Sequence, residues 1–127
     1  MKILFGMLIF TFITFPYSYF WHLKLFKKKY DKWQFFEGKV SPLIGFVTII
    51  IQGSILSYMY STFFDNKASI MTGLSFALII GIFHWSVQVV GMMGKNAKTR
   101  TPGFFIIETL ALTGQFGIFG ILISFVY

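Results

Sequence analysis

Cysteine is absent from this sequence. That excludes disulfides, zinc–thiolate sites, iron–sulfur clusters and thiol nucleophiles, and it leaves the redox compartment open. Acids are almost as scarce, four against eleven lysines and arginines in 127 residues. Charged side chains make up 12% of the chain, where an average soluble domain carries roughly 25%. So few charges cannot cover a water-facing surface, which excludes soluble enzymes and soluble nucleic-acid modules. There is no P-loop or dinucleotide fingerprint. Nor is a nucleophile, base and orienting group legible as a set.

Oil-soluble side chains are abundant. The chain is 56% hydrophobic, with 18 phenylalanines and a mean hydropathy of +0.74. A helix needs about 20 mostly apolar residues to cross a bilayer, and residues 3–21, 42–64, 70–94 and 102–127 each meet that requirement. Only the last segment holds a formal charge, Glu108. The expected fold is all-α: one integral membrane domain over 1–127, a bundle of four transmembrane helices. The first segment is longer than the apolar core of a signal peptide and offers no small-residue cleavage site, so it reads as a retained span. Pro16 is expected to kink it, with neighbouring helices satisfying the freed carbonyl.

Local chemistry marks the boundaries. Ser41-Pro42 and Thr101-Pro102 each place a capping hydroxyl before a proline at the first helical position. Asp65 to Ser69 reads as a polar turn between the second and third spans. Lys24, Lys27, Lys28, Lys29, Lys32 and Lys39 fall in the first loop, and Lys95, Lys98 and Arg100 in the third. Only Lys2 and Lys67 lie on the opposite side. This asymmetry places both basic loops in the cytoplasm and both termini outside, and it accounts for the net charge of +7 without nucleic acid. Leu23, Phe26, Tyr30 and Trp33 share one helical face with lysines opposite. They are expected to form an amphipathic helix at the anionic inner leaflet, with Trp21, His22, Lys27, Lys28 and Lys29 at the inner interface.

Polar residues at membrane depth need partners inside the protein. At about 1.5 Å of rise per residue, Glu108 and Gln88 both lie about 9 Å inside the inner boundary. His84, Gln52 and Gln115 fall deeper, at roughly 15–20 Å. His84 and Gln88 share a face at i,i+4, and Glu108 and Gln115 at i,i+7. The third and fourth spans are therefore expected to pack through this polar stripe, with Gln52 approaching from the second. Glu108, the sole intramembrane acid, is the candidate proton or cation site, or the partner of Lys95, Lys98 or a snorkelling lysine. With His22 at the interface and His84 about 15 Å deeper, bis-histidine haem ligation fails. His84 and Glu108 alone make no metal site, so no cofactor is expected. Gly73, Gly81, Gly114, Gly117 and Gly120 provide close-approach faces within the chain or between copies, which suggests a homodimer or larger complex.

Trp21-His22, Phe26-Lys27, Tyr30, Pro42-Leu43, Gln52-Gly53, Glu108 and Gln115-Phe116 together resemble a family of small uncharacterised bacterial membrane proteins. The resemblance implies four helices and a membrane location, expected to be a bacterial plasma membrane, and it carries no substrate and no catalytic residue. Small multidrug exporters share only the general design, since their essential Glu lies in the first helix and here that helix has no acid. Dimeric fluoride channels share four helices and many phenylalanines, but their Asn and Arg motifs are missing. Three functions remain open on this reading. The first is an accessory or structural membrane component. The second is a small transporter or channel using Glu108. The third is a membrane enzyme acting on a lipid or quinone.

Overall fold

In a computed structural model, residues 1–36, 38–64 and 69–127 are described. Five helices organise them: α1 Lys2–Leu25, α2 Lys27–Trp33, α3 Pro42–Phe64, α4 Ile70–Lys95 and α5 Pro102–Ile123. There is no strand among the described residues. All but α2 are long and apolar enough to cross a membrane. The expected turn at Asp65 to Ala68, including Lys67, lies outside the described residues, while Ser69 opens α4.

Hydroxyl caps set where three of these helices begin. Thr101 accepts from Phe104 N at 3.1 Å, Ser69 from Thr72 N at 3.1 Å, and Ser41 from Ile44 N at 3.4 Å. Each satisfies one of the donors that a first turn leaves unpaired. Helix α1 passes through Pro16 without a break and ends in a π-turn over Trp21–Leu25. Helix α4 contains a second π segment at Ser86–Gly91. Such wide turns redirect side chains and often mark functional sites.

The helices pack as two pairs, α1 with α3 and α4 with α5, joined where α1 meets α5. Phe10 of α1 sits at that junction, edge-on to Phe119 at 5.2 Å and tilted against Phe116 at 6.2 Å. Glycine lets both pairs close. A Cβ on Gly6 would lie 2.1 Å from Ser57 Oγ, and one on Gly73 would lie 2.1 Å from the Gly120 carbonyl oxygen. Away from the basic loops, Tyr60 packs among Phe64, Phe76 and Tyr127 at 5.0–5.5 Å. There the Tyr127 hydroxyl donates to the Ser57 carbonyl at 3.3 Å. Outside, the helices stay apolar all round, with Phe12, Leu43, Met71, Phe83 and Phe125 exposed. That pattern suits hydrocarbon as the surrounding solvent.

The basic segment after α1 does form a helix, but its apolar face is used differently from the expectation. Tyr30 and Trp33 are buried against protein instead of facing lipid. Trp33 meets Phe104 edge-on at 5.3 Å, and Phe35 stacks on His22 at 5.4 Å. Gln34 closes α2 in the left-handed region, at φ 50. Asn96 Nδ2 then donates to the carbonyls of Trp33 and Gln34 at 3.1 and 3.2 Å, pinning that end to the α4–α5 loop. Lys28, Lys29 and Lys32 remain exposed on the opposite side. Thus α2 plugs the basic end of the bundle.

Candidate functional site

Glu108 lies two turns into α5, on the face that also carries Ala111, Leu112 and Gln115. It is 0% exposed. A buried carboxylate is tolerated only if its acceptor positions are filled, and here three donors fill them. His22 Nε2 lies 3.0 Å from Oε1 and 3.1 Å from Oε2. The Tyr30 hydroxyl donates to Oε2 at 2.5 Å, and Gln88 Nε2 donates to Oε1 at 2.5 Å. Both π segments contribute, since His22 belongs to the first and Gln88 to the second.

Directions of donation follow from what lies behind each donor. Trp21 Nε1 donates to the Tyr30 oxygen at 3.0 Å, which leaves the Tyr30 proton to point at Glu108. The Gln88 amide oxygen faces His84 Nε2 at 2.6 Å, so His84 is the donor there and the Gln88 NH2 faces the carboxylate. His22 Nδ1 lies 2.9 Å from the Ser18 carbonyl, an oxygen that can only accept, so this nitrogen carries a proton. One proton then lies between Nε2 and the carboxylate, and the two residues form a buried ion pair when it rests on the nitrogen.

Ser18, His22 and Glu108 stand in a line that suggests nucleophilic catalysis. Ser18 Oγ is 3.1 Å from His22 Nδ1. A general base needs a free lone pair on that nitrogen, and the shorter contact with the Ser18 carbonyl engages it as a donor. This is an oriented histidine without an activated nucleophile.

Tyr30 is locked in its neutral form. Burial first, and then the Glu108 charge beside it, push its phenol well above the ordinary value of 10.0. A folded-state pKa raised in this way contributes stability that is complete below about pH 10 and lost as pH rises beyond it. Tyr30→Phe is therefore expected to leave unchanged the number of phenols ionising between about pH 9 and 11, read by ultraviolet difference titration. One fewer phenol titrating in the variant would show that Tyr30 is not held by the site.

Of the residues singled out in the sequence, Glu108, Gln88 and His84 come together. Their shared depth and i,i+4 spacing were legible from counting alone. Gln115 is buried on the Glu108 face, but it makes no side-chain hydrogen bond among the described residues. Gln52 does not approach the stripe. It is half-buried on α3, the partner of α1, and also lacks a side-chain hydrogen bond among the described residues. The cation facing Glu108 is His22, and not Lys95, Lys98 or a snorkelling lysine. His22 is 5% exposed and turned onto Glu108, because α1 continues through its π-turn to Leu25. Trp21 and Tyr30 join the cluster as well. Lys27 instead pairs with Asp31 at 2.6 Å in the open, while Lys28 and Lys29 lie away from the site.

No group of three or more metal-ligating side chains occurs among the described residues. Two openings lie nearby. A cleft of about 130 Å3 at the basic end is lined by Ser18, His22, Phe36 and Ser41. A larger apolar groove of about 620 Å3 runs between α4 and α5 past Gly81, Trp85, Phe116 and Gly117. The expected glycine face of α5 is thus divided. Gly120 is used against α4 and Gly114 makes room for the Tyr17 hydroxyl, whereas Gly117 stays open. Compared with known proteins, the chain matches no family model, no curated protein and no solved structure.

Proposed function

We propose that this chain is an accessory or structural membrane component in which the Glu108 cluster is a clasp. In this reading it lies in a bacterial plasma membrane, with the lysine-rich end in the cytoplasm and both termini outside. One observation carries it: every acceptor direction of the buried carboxylate is taken by a donor of the same chain. A transport site needs an acceptor that a cation or substrate can reach, and Glu108 offers none. The donors come from α1, α2 and α4, so the clasp ties both helix pairs and the plug to one point. The exposed lysines of α2 then form a fixed basic face towards anionic headgroups or a partner subunit.

Two measurements test this. Proton flux into liposomes carrying the wild-type chain, followed with an entrapped pH dye, is expected to match flux in protein-free liposomes. Purification in mild detergent is expected to recover a partner, or a second copy, in fixed stoichiometry. Flux above background in the wild type that Glu108→Gln abolishes would overturn the reading in favour of transport.

A further inference from the structure

The clasp has a second property, set by its proton count. Both carboxylate oxygens of Glu108 already face donors whose reverse sides are occupied: Tyr30 by Trp21, Gln88 by His84, and His22 by the Ser18 carbonyl. Tyr30 and Gln88 cannot turn round and accept, and His22 Nε2 already shares the one proton with the carboxylate. A proton arriving on either oxygen must therefore displace one of them.

The three are not equally fixed. His22 and Gln88 sit on helices of 24 and 26 residues, whose apolar surfaces are committed to the bundle. Tyr30 sits on α2, which has seven residues. A helix that short does not persist without tertiary contacts. Its hold includes the Tyr30 hydroxyl between Glu108 and Trp21, the Trp33 and Phe35 rings against Phe104 and His22, and the two Asn96 hydrogen bonds. The small cleft at the basic end reaches the His22 ring past Ser18 and Ser41, so the cluster lies one residue from an opening.

We propose that Glu108, His22 and Tyr30 form a proton-operated latch: one proton between His22 and Glu108 holds α2 against the bundle, and a second proton on the carboxylate releases it. This deepens the accessory reading, on which it rests, by naming what regulates the same site. The groups facing the carboxylate are few. His22 and Tyr17 come from α1, Tyr30 from α2, and His84 from α4 by way of Gln88. Phe35 and Phe36 close the side towards the first loop, packed on the His22 ring. Among the described residues no lysine, arginine or second acid forms an ion pair with Glu108. The second proton therefore leaves a net positive charge in a buried site with nothing to compensate it. Release of α2 opens the site to water.

The absence of cysteine makes the test direct. Lys29→Cys and Lys98→Cys are exposed positions on α2 and on the α4–α5 loop, outside the cluster. Nitroxide labels there, measured by double electron–electron resonance in lipid nanodiscs, are expected to give one short distance population at neutral pH. Acidification should convert it reversibly into a longer, broader population. A second pair at the far end, Tyr58→Cys with Phe125→Cys, should not move. In a Glu108→Gln background the pH step should vanish, because the amide does not titrate. Should that variant fail to fold, Tyr30→Phe is read in its place; it keeps the carboxylate and should show the open population already at neutral pH. Distances that ignore pH in the wild type would overturn the latch, as would a pH step surviving Glu108→Gln or an equal shift at both ends. A stationary α2 sinks the latch alone, whereas Glu108-dependent proton flux sinks the accessory reading.

Discussion

Glu108→Ala is expected to lower the free energy of unfolding by about 3–5 kcal/mol, the typical loss when one partner of a buried ion pair is removed. The loss does not come from the deleted attraction itself. It comes from what remains: the His22 ring nitrogen, the Tyr30 hydroxyl and the Gln88 amide, all buried or half-buried and all left without their common partner. Unfolding by heat or by dodecyl sulfate in mild detergent, followed by far-ultraviolet circular dichroism, measures the effect. The double variant His22→Leu with Glu108→Leu should recover a substantial part of the loss, because it removes both charges together. If the double variant were as unstable as the sum of the two single ones, the two residues would not be coupled and the clasp would be wrong.

Gly73→Ala is expected to destabilise by about 1–3 kcal/mol, the usual range for forcing extra volume into a packed contact. The new methyl would meet the Gly120 carbonyl oxygen at 2.1 Å and Ser124 Cβ at 3.0 Å. Backbone cannot rotate aside as a flexible side chain does, so α4 and α5 must separate. Gly45 provides the contrast, since a Cβ there meets nothing within 4 Å. In a helix interior Ala is favoured over Gly by about 0.5–1 kcal/mol, so Gly45→Ala should stabilise. The same thermal melts check both variants. A neutral Gly73→Ala would mean that α4 and α5 are not in glycine-mediated contact.

The apolar spans and the secondary structure were legible in the sequence because both are local properties. Runs of apolar residues set four helices, and α3 begins and ends at 42 and 64 as read from hydropathy. Hydroxyl-proline pairs set the starts of α3 and α5 through a hydrogen bond three residues long. A ruler of constant rise was enough to put Gln88 beside Glu108, since both lie close to boundaries marked in the sequence.

The same ruler did not pair His22 with Glu108. Its count ended at Trp21, where aromatic and basic residues signal an interface, and it had no means of sensing a π-turn that carries the helix onward to Leu25. A usable signal was present. The one intramembrane acid required a polar partner, every lysine had a solvated position available, and His22 and His84 were the candidates on either side of its depth. Tyr30 was placed on the correct face of the correct helix. Which surface that face covers was not a local question, because lipid and protein reward an aromatic side chain almost equally.

Sequence alone determined that four helices are long and apolar enough to cross a membrane, where they lie in the chain, and that Glu108 had to find partners. The tertiary structure decided who those partners are. His22 is 86 residues away from Glu108 and Tyr30 is 78 away, and the hydrogen bonds between them depend on how two helix pairs meet and how α2 turns back beneath them. Periodicity fixes the face of each helix, but only the packing of small and large residues across the seams sets which faces oppose one another.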